Sequence, residues 1–302
     1  MRQLVCPLCH TPAPEKTKDQ GLVKCKNCSL TWLYLLEDVD QVALYQDEIY
    51  TVVDNRKSIF EKIIFREAKK VIQTLQKLST SKIKRCLDFG SGKGQFLLQV
   101  KNKGWEGVGV ETSGPRASFA KEKYGLQIHD TFYQSGKIEG GNYDAITLFH
   151  VLEHLPEPMV LLEKLCLENL NEEGVLVIEV PNLGSWQYKI AGKFWMHLDI
   201  PKHLSHWKED MLINQVENIG FKHLKTQYFS VHLGVLGMLR ALMGKTGYKG
   251  NIILELKNKK KLSVLIRIAL ILPLAFFLEC LAVAFRKGGV FRVYFRKHES
   301  KR

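Results

Sequence analysis

Two groups of residues in this 302-residue chain have the types and spacing to do chemistry. The first is Cys6-Pro-Leu-Cys9, followed after fifteen residues by Cys25-Lys-Asn-Cys28. Paired Cys-x-x-Cys units at this separation have zinc-ribbon spacing, in which four thiolates close a tetrahedron around one ion. With all four positions cysteine, the spacing predicts a structural, closed Zn2+ site that holds a module too small for its own core. Seven cysteines are an odd number, and the opening MRQLVCPLCH lacks a charged-then-apolar leader layout. The expectation is therefore a cytoplasmic, reducing setting with metal rather than disulfides. Cys86, Cys166 and Cys280 lie in apolar runs and read as packing or membrane-facing residues.

The second group begins at Cys86-Leu-Asp-Phe-Gly90-Ser-Gly92-Lys-Gly94. Glycines suit a tight strand-to-helix turn that a ligand must approach closely. Position 95 is Gln, so the third glycine falls one residue too early for the dinucleotide pattern G-x-G-x-x-G. Gly107-Val-Gly-Val-Glu111 then puts an acid at the end of the next strand, where a carboxylate can accept hydrogen bonds from both ribose hydroxyls. A third stretch, Asn142 to His154, reads as a buried strand ending at the switch-point crevice.

The elements that must position these residues alternate short apolar runs with helical periodicity, the pattern of βαβ units and a parallel sheet. Strands are predicted at Arg85–Phe89, Gly107–Val110, Leu126–Ile128, Tyr143–Phe149, Val175–Val180 and Leu224–Phe229, with a last one at Val290–Arg296. Helices are predicted at Gln95–Lys103, Pro115–Tyr124, Met159–Asn169 and Lys208–Ile219. Ahead of them, 54–78 carries one apolar stripe and reads as a helix packed on the core. Two short strands, Leu22–Lys24 and Leu30–Leu33, fit the cysteine module. The chain thus divides into a zinc-ribbon-like module (1–36), a helical linker (37–83), a core (84–232), an apolar and basic helical insertion (233–289), and a final strand with a basic tail (290–302).

In their order and spacing, LDFGSGKG, GVGVETS, YDAITLFHVLEHL and GVLVIEVPN resemble the successive motifs of class I S-adenosylmethionine (SAM)-dependent methyltransferases, over residues 84–229. The resemblance implies an α/β, Rossmann-like sheet of seven strands, the last antiparallel, and SAM as cofactor. Carried over by position, Asp88 would organise the loop and approach the methionine part, with Gly90, Ser91, Gly92 and Gly94 lining it. Glu111 would hold the ribose, Asp130 would lie near the adenine amine, and Phe149 and His150 would flank the cofactor.

Methyl transfer is a displacement at an already activated carbon, so the protein must position both partners and, for a hydroxyl or amine acceptor, remove a proton. Histidine suits that step near neutral pH. His150, His203 and His154 are the candidates, with Glu153 and Asp199 as orienting acids; His150 ranks high for its strand end and His203 for its place in the expected lid, Ser185–Trp207. Trp186, Tyr188, Phe194, Trp195 and Trp207 of that segment could form a substrate wall or anchor a long loop in the core. WMHLDIPKHLSHW resembles a segment of bacterial methyltransferases of glycan or small-metabolite pathways.

Of the 44 Lys and Arg, 15 lie between Arg240 and Arg302, against three of the 31 acids, so the net charge of +13 belongs to the last fifth of the chain. The charge flanks an apolar core at Leu262–Phe285, whose continuous apolar run, Ile268–Leu278, is eleven residues, short of the ~20 a spanning helix needs. A helix or hairpin lying on an anionic membrane surface is expected, on the inner face, with a buried cap or dimer interface as the alternative. Three functions follow: methylation of a small-molecule, glycan or lipid-intermediate acceptor; RNA methylation using the zinc module; and a non-catalytic SAM-binding scaffold. Nucleic acid is the weaker partner, because Arg2, Lys16, Lys18, Lys24 and Lys26 of the module are opposed by Glu15 and Asp19.

Overall fold

The computed structural model describes residues 5–12, 14–17, 21–34, 58–80, 82–248, 250 and 262–298. Residues 54–57 of the expected linker helix, and Lys257 to Lys261 of the basic stretch, lie outside these. Three short strands come first: β1 (Glu15–Lys16), β2 (Leu22–Lys24) and β3 (Thr31–Leu33). Helix α1 (Ile59–Leu78) starts where the Ser58 hydroxyl accepts from the Glu61 N–H at 3.1 Å, an N-cap, and buries Ala68, Val71, Ile72 and Leu75.

The alternating core follows: β4 (Arg85–Phe89), α2 (Gln95–Asn102), β5 (Glu106–Glu111), α3 (Gly114–Tyr124), β6 (Gln127–Asp130), β7 (Tyr143–Phe149), α4 (Pro158–Asn169) and β8 (Leu170–Pro181). A 3-10 turn, Leu152–His154, leads from β7 towards α4. Beyond β8 come α5 (Trp186–Ala191), β9 (Ser205–His206), α6 (Glu209–Asn218), β10 (Phe221–Gln227), a π-helical turn at Val231–Val235, α7 (Leu236–Lys245), α8 (Leu262–Ala284) and β11 (Val290–Lys297).

Seven strands form one sheet in the order β10-β11-β8-β7-β4-β5-β6. The pairs from β8 to β6 are parallel, and β11 runs antiparallel to both neighbours. This is the expected α/β, Rossmann-like methyltransferase sheet. Because the chain leaves β4 for β5 and β6 and then returns to β7 on β4's other side, the switch point falls between the carboxyl ends of β4 and β7. Strands β4 and β7 bury nearly every side chain, as a parallel sheet covered on both faces requires.

The cysteine module is not a free-standing appendage. Its β3 pairs antiparallel with β9 of the Ser185–Trp207 segment, Thr31 opposite His206, making a four-stranded sheet β1-β2-β3-β9. Cys6, Val23, Cys25, Leu30 and Trp32 share one hydrophobic cluster with Leu148, Leu152 and Trp207 of the main body. Leu204 bridges the two parts: its C=O accepts from the Leu33 N–H at 2.8 Å and its N–H donates to the Glu153 C=O at 2.7 Å.

The insertion differs from the expected eleven-residue apolar run. α8 is one helix of 23 residues, long and apolar enough to cross a membrane by length and composition, with Pro273 inside it. The run extends because its interrupting charges are accommodated: Arg267 stands in solvent, and Glu279 is wholly buried but partnered. Its carboxylate accepts from the Gly289 N–H at 2.8 Å and from the Gln187 amide at 2.9 Å.

Candidate active site

The glycine turn opens between β4 and α2. Gly90 has φ +76°, and a Cβ there would stand 2.3 Å from Val151 Cγ2, so no other residue fits without displacing the turn after β7. Gly92, also left-handed, has nothing within 4 Å of where its Cβ would be, which leaves its backbone open to a ligand. Gly94 does a different job, capping α2 where a Cβ would strike Leu126 at 2.5 Å. Glu111, buried at the end of β5, accepts from the Gly92 N–H at 2.6 Å and the Ser113 N–H at 2.8 Å, so its carboxylate is held against the loop. Ser91 Oγ is buried with no hydrogen-bond partner, an orphan polar atom in the same turn.

Asp88 lies beneath the loop, 2% exposed, and accepts from the Thr147 hydroxyl at 2.6 Å across the β4–β7 pair. Burial pushes its carboxyl up to about 7, against the pull of that hydrogen bond and with the charge of Glu111 adding to the rise. An open cleft runs over Asp88, Gly90, Ser91, Gly92, Phe149 and His150. Its remaining wall is formed by Ile64, Glu67, Ala68 and Val71 of α1, Gln95 and Phe96 of α2, Glu179 of β8, His232, and Arg292 of β11. An unsatisfied hydroxyl, an open glycine backbone and a fixed carboxylate fit a cofactor with hydroxyl and ammonium groups.

The histidines fall out differently from the sequence ranking. His150, at a positive φ of 55° just past β7, lies with Nδ1 3.2 Å from Glu153 and Nε2 3.2 Å from Glu179. Burial alone would depress it, but the two carboxylates hold it charged, raised to about 10. With both ring nitrogens facing carboxylates, His150 stands as a fixed cation in the cleft wall. Burial opposes ionisation of Glu153 as well, yet the His150 contact brings it down to about 2; Glu179 reaches about 2 through Arg292 and His150. Arg292 closes the chain by an ion pair to Glu179 and stacks its guanidinium over Phe149 at 5.6 Å.

His154 and His203 stand together away from this cleft, rings 4.7 Å apart, with Nδ1 at 3.0 Å from the Lys202 C=O and 2.7 Å from the His197 C=O. His203 is 6% exposed and its pKa is lowered by burial; His197 and His206 beside it are lowered to about 3 for the same reason. Asp199 is exposed, and it contributes its backbone C=O to the His203 N–H at 3.0 Å. None of these three lines the glycine cleft. Asp130 ends β6 beside Glu111 in register and sits exposed at the rim near Gly114. Trp195 and Trp207 are buried anchors rather than a substrate wall, and Trp186 stacks on Phe285 at 5.8 Å.

The sequence reading missed a pair on the cleft's open side. His232, in the π-helical turn, places Nδ1 2.8 Å from Glu67 of α1. Glu67 also accepts from the Val231 N–H at 2.6 Å and the Ser230 hydroxyl at 3.0 Å. Burial favours its neutral form, but these donors and the His232 contact keep its pKa below the ordinary value. A carboxylate with three donors is rigid, and it leaves Nε2 as the ring nitrogen for proton transfer.

Away from the cleft the four module thiols converge. Sγ of Cys6 and Cys28 are 3.5 Å apart, those of Cys9 and Cys25 are 3.4 Å apart, and all four lie within 4.8 Å of one another. Tetrahedral zinc at ~2.3 Å from each sulfur needs sulfurs about 3.8 Å apart, so the donor set fits such an ion.

Sheet order, switch-point cleft and glycine loop define a class I SAM-dependent methyltransferase. The chain matches the model of a methyltransferase domain over residues 60–226, more than half its length, and belongs to that family. It is 26% identical over 175 residues to a ubiquinone biosynthesis O-methyltransferase of Marinobacter nauticus, covering 54% of this chain and 67% of that one. In fold it is similar to a SAM-dependent methyltransferase of Archaeoglobus fulgidus, at TM-score 0.50 and 19% identity, over 85% of this chain and 100% of the other. A second solved neighbour is the O-methyltransferase of a Brevibacillus brevis polyketide synthase multienzyme, in complex with S-adenosyl-L-homocysteine. It superposes at TM-score 0.50 and 14% identity, over 87% and 81% of the two chains.

The buried ion chain generates a stability prediction. Arg292→Met should cost about 3–5 kcal/mol in urea unfolding, because it strands two carboxylates with one cation in the interior. A loss under 1 kcal/mol would show that Glu179 has other compensation.

Proposed function

We propose that the protein transfers the methyl group of SAM to a hydroxyl oxygen of a small-molecule acceptor, free or carried on a glycan or lipid. The observation that carries this reading is the Glu67–His232 pair in the wall of the glycine cleft. SAM supplies an activated methyl group when bound, so the chain's own task is to hold, orient and deprotonate. Asp88, the backbone of Gly90 to Gly92 and Glu111 would hold the cofactor, with Phe149 and the His150 cation shaping the cleft beside it. His232 takes the proton of the acceptor hydroxyl at Nε2, and the Glu67 carboxylate fixes the ring and stabilises the imidazolium that forms. The O-methyltransferase named among the relatives supports oxygen as the target.

With any phenol, hydroxy acid, sugar or lipid alcohol that the wild type methylates, His232→Gln should lower kcat by about 10²–10⁴-fold. SAM affinity, read by calorimetry, should stay within twofold, and Glu67→Gln should lower kcat by a smaller factor. An unchanged kcat in both variants would remove the pair from the mechanism.

Asp88 gives a pH signature for the cofactor. Its carboxyl is raised to about 7 in the free protein, and the ammonium of the methionine part would favour the charged form. Below that value a proton must leave on binding; above it none does. SAM affinity should therefore rise about fivefold from pH 6 to about pH 7.4, with proton uptake by the buffer at pH 6, and fall again above about pH 8 as the ligand's own α-amino group loses its charge. A flat profile in the wild type would mean the ammonium sits elsewhere.

The four thiols are proposed to hold structural Zn2+. Metal analysis of the purified protein should give one zinc per chain, and Cys25→Ser should lower both zinc content and Tm. Zinc-free protein with an unaltered Tm would count against the site.

A further inference from the structure

Helix α8 has two apolar faces, and only one is covered. Val264, Ile268, Ile271, Ala275, Leu278 and Ala282 recur at helical spacing and pack in the cluster built with α7. On the other side Leu262, Ile266, Leu270, Leu274 and Phe277 are exposed, Leu270 by 75% and Phe277 by 61%. A row of exposed apolar side chains along one helix face, rather than single scattered ones, marks a surface that something apolar covers.

The charge around it says what. Arg267 stands exposed on the helix, Arg286 and Lys287 stand exposed at its end, and Arg240 and Lys245 lie on α7. In sequence, Lys257, Lys259, Lys260 and Lys261 lead into it. The one acid on the helix, Glu279, is buried and hydrogen-bonded, and Arg286 is 3.8 Å from Glu209. A basic rim around an apolar face is complementary to anionic headgroups above acyl chains.

We propose that α8 lies in the plane of an anionic bilayer surface, with this open face in the acyl boundary. Crossing is excluded by what α8 is tied to. At ~1.5 Å per residue its 23 residues are long enough to span. A spanning α8 would, however, drag α7, with Arg240 and Lys245, and the Gln187–Glu279 pair into the hydrocarbon. Its C-terminal end also feeds β11 directly into the sheet interior. The flank of α8 leads towards the active site: a cavity lined by Val283, Tyr228, Phe229 and Thr226 shares Glu67 and Arg292 with the glycine cleft. An acceptor residing in the bilayer would thus meet the protein beside the proposed base.

The test is flotation of the full-length protein with vesicles of phosphatidylcholine containing one quarter phosphatidylglycerol. The wild type should float, should bind pure phosphatidylcholine several-fold less, and should be released by high salt. The double variant Leu270→Glu, Phe277→Glu should bind about tenfold less while keeping wild-type SAM affinity, which shows the site intact. Lack of flotation in the wild type would overturn the proposal. So would light scattering that shows a dimer which the double variant splits, since the face would then belong to a second copy. SAM binding without vesicle binding sinks this inference alone, whereas vesicle binding without SAM binding sinks the functional reading.

Discussion

Burying ionised groups is tolerated only when each finds a partner, and the active-site end of this sheet is organised around one such chain. Arg292 on β11, Glu179 on β8, His150 beyond β7 and Glu153 in the following 3-10 turn alternate in charge across strands that are neighbours in space. The chain includes two cations and two anions, so it is neutral as a unit and costs far less to bury than any member alone. It also fixes the left-handed backbone of His150, and with it the turn whose Val151 closes over Gly90. The cofactor loop is thus held from below by Asp88 and Thr147 and from the side by an electrostatic clamp.

That clamp reaches outward. The Glu153 C=O accepts from Leu204, and Leu204 in turn receives the Leu33 N–H, so the cysteine module, the Ser185–Trp207 segment and the end of β7 form one hydrogen-bonded path. The buried, largely neutral histidines 197, 203 and 206 sit along this path beside the charged His150. Burial lowers the pKa of all three, and at His197 the charge of His150 adds to the lowering. The histidine-rich segment is thus packed into the body of the protein, whereas the histidine proposed for proton transfer lines the glycine cleft.

What the sequence disclosed follows the reach of its signals. Period-two and period-3.6 patterns are local, and β7 and the cofactor turn were legible to within a residue or two. The position of Glu111 at a strand end beside the glycine turn was legible because a glycine-led βαβ unit fixes it. The Glu67–His232 pair was not, since 165 positions separate its members and neither sits in a periodic break that marks a site. The charge state of His150 was legible only in part, because Glu179, on another strand, joins the nearby Glu153 in holding it. One signal was available: a charged residue in the middle of each of two strongly apolar strands, GVLVIEVPN and VFRVYFR, predicts an interior ion pair.

The place of the apolar insertion in the chain gives it more than a location. It leaves after β10 and returns into β11, which is flanked on both sides in the sheet. The last turns of α8 are therefore fixed to the same strand that supplies Arg292 to the active-site clamp. Gly288 and Gly289, between them, lie so close to Tyr228 and Gln187 that a side chain at either would collide within 2.6 Å. With no slack at that junction, whatever covers the open face of α8 sets the orientation of the cleft with respect to it. A surface that binds there would hold the cleft at a fixed distance and angle. On the proposed reading, positioning of the acceptor would begin at the docking surface and end at His232.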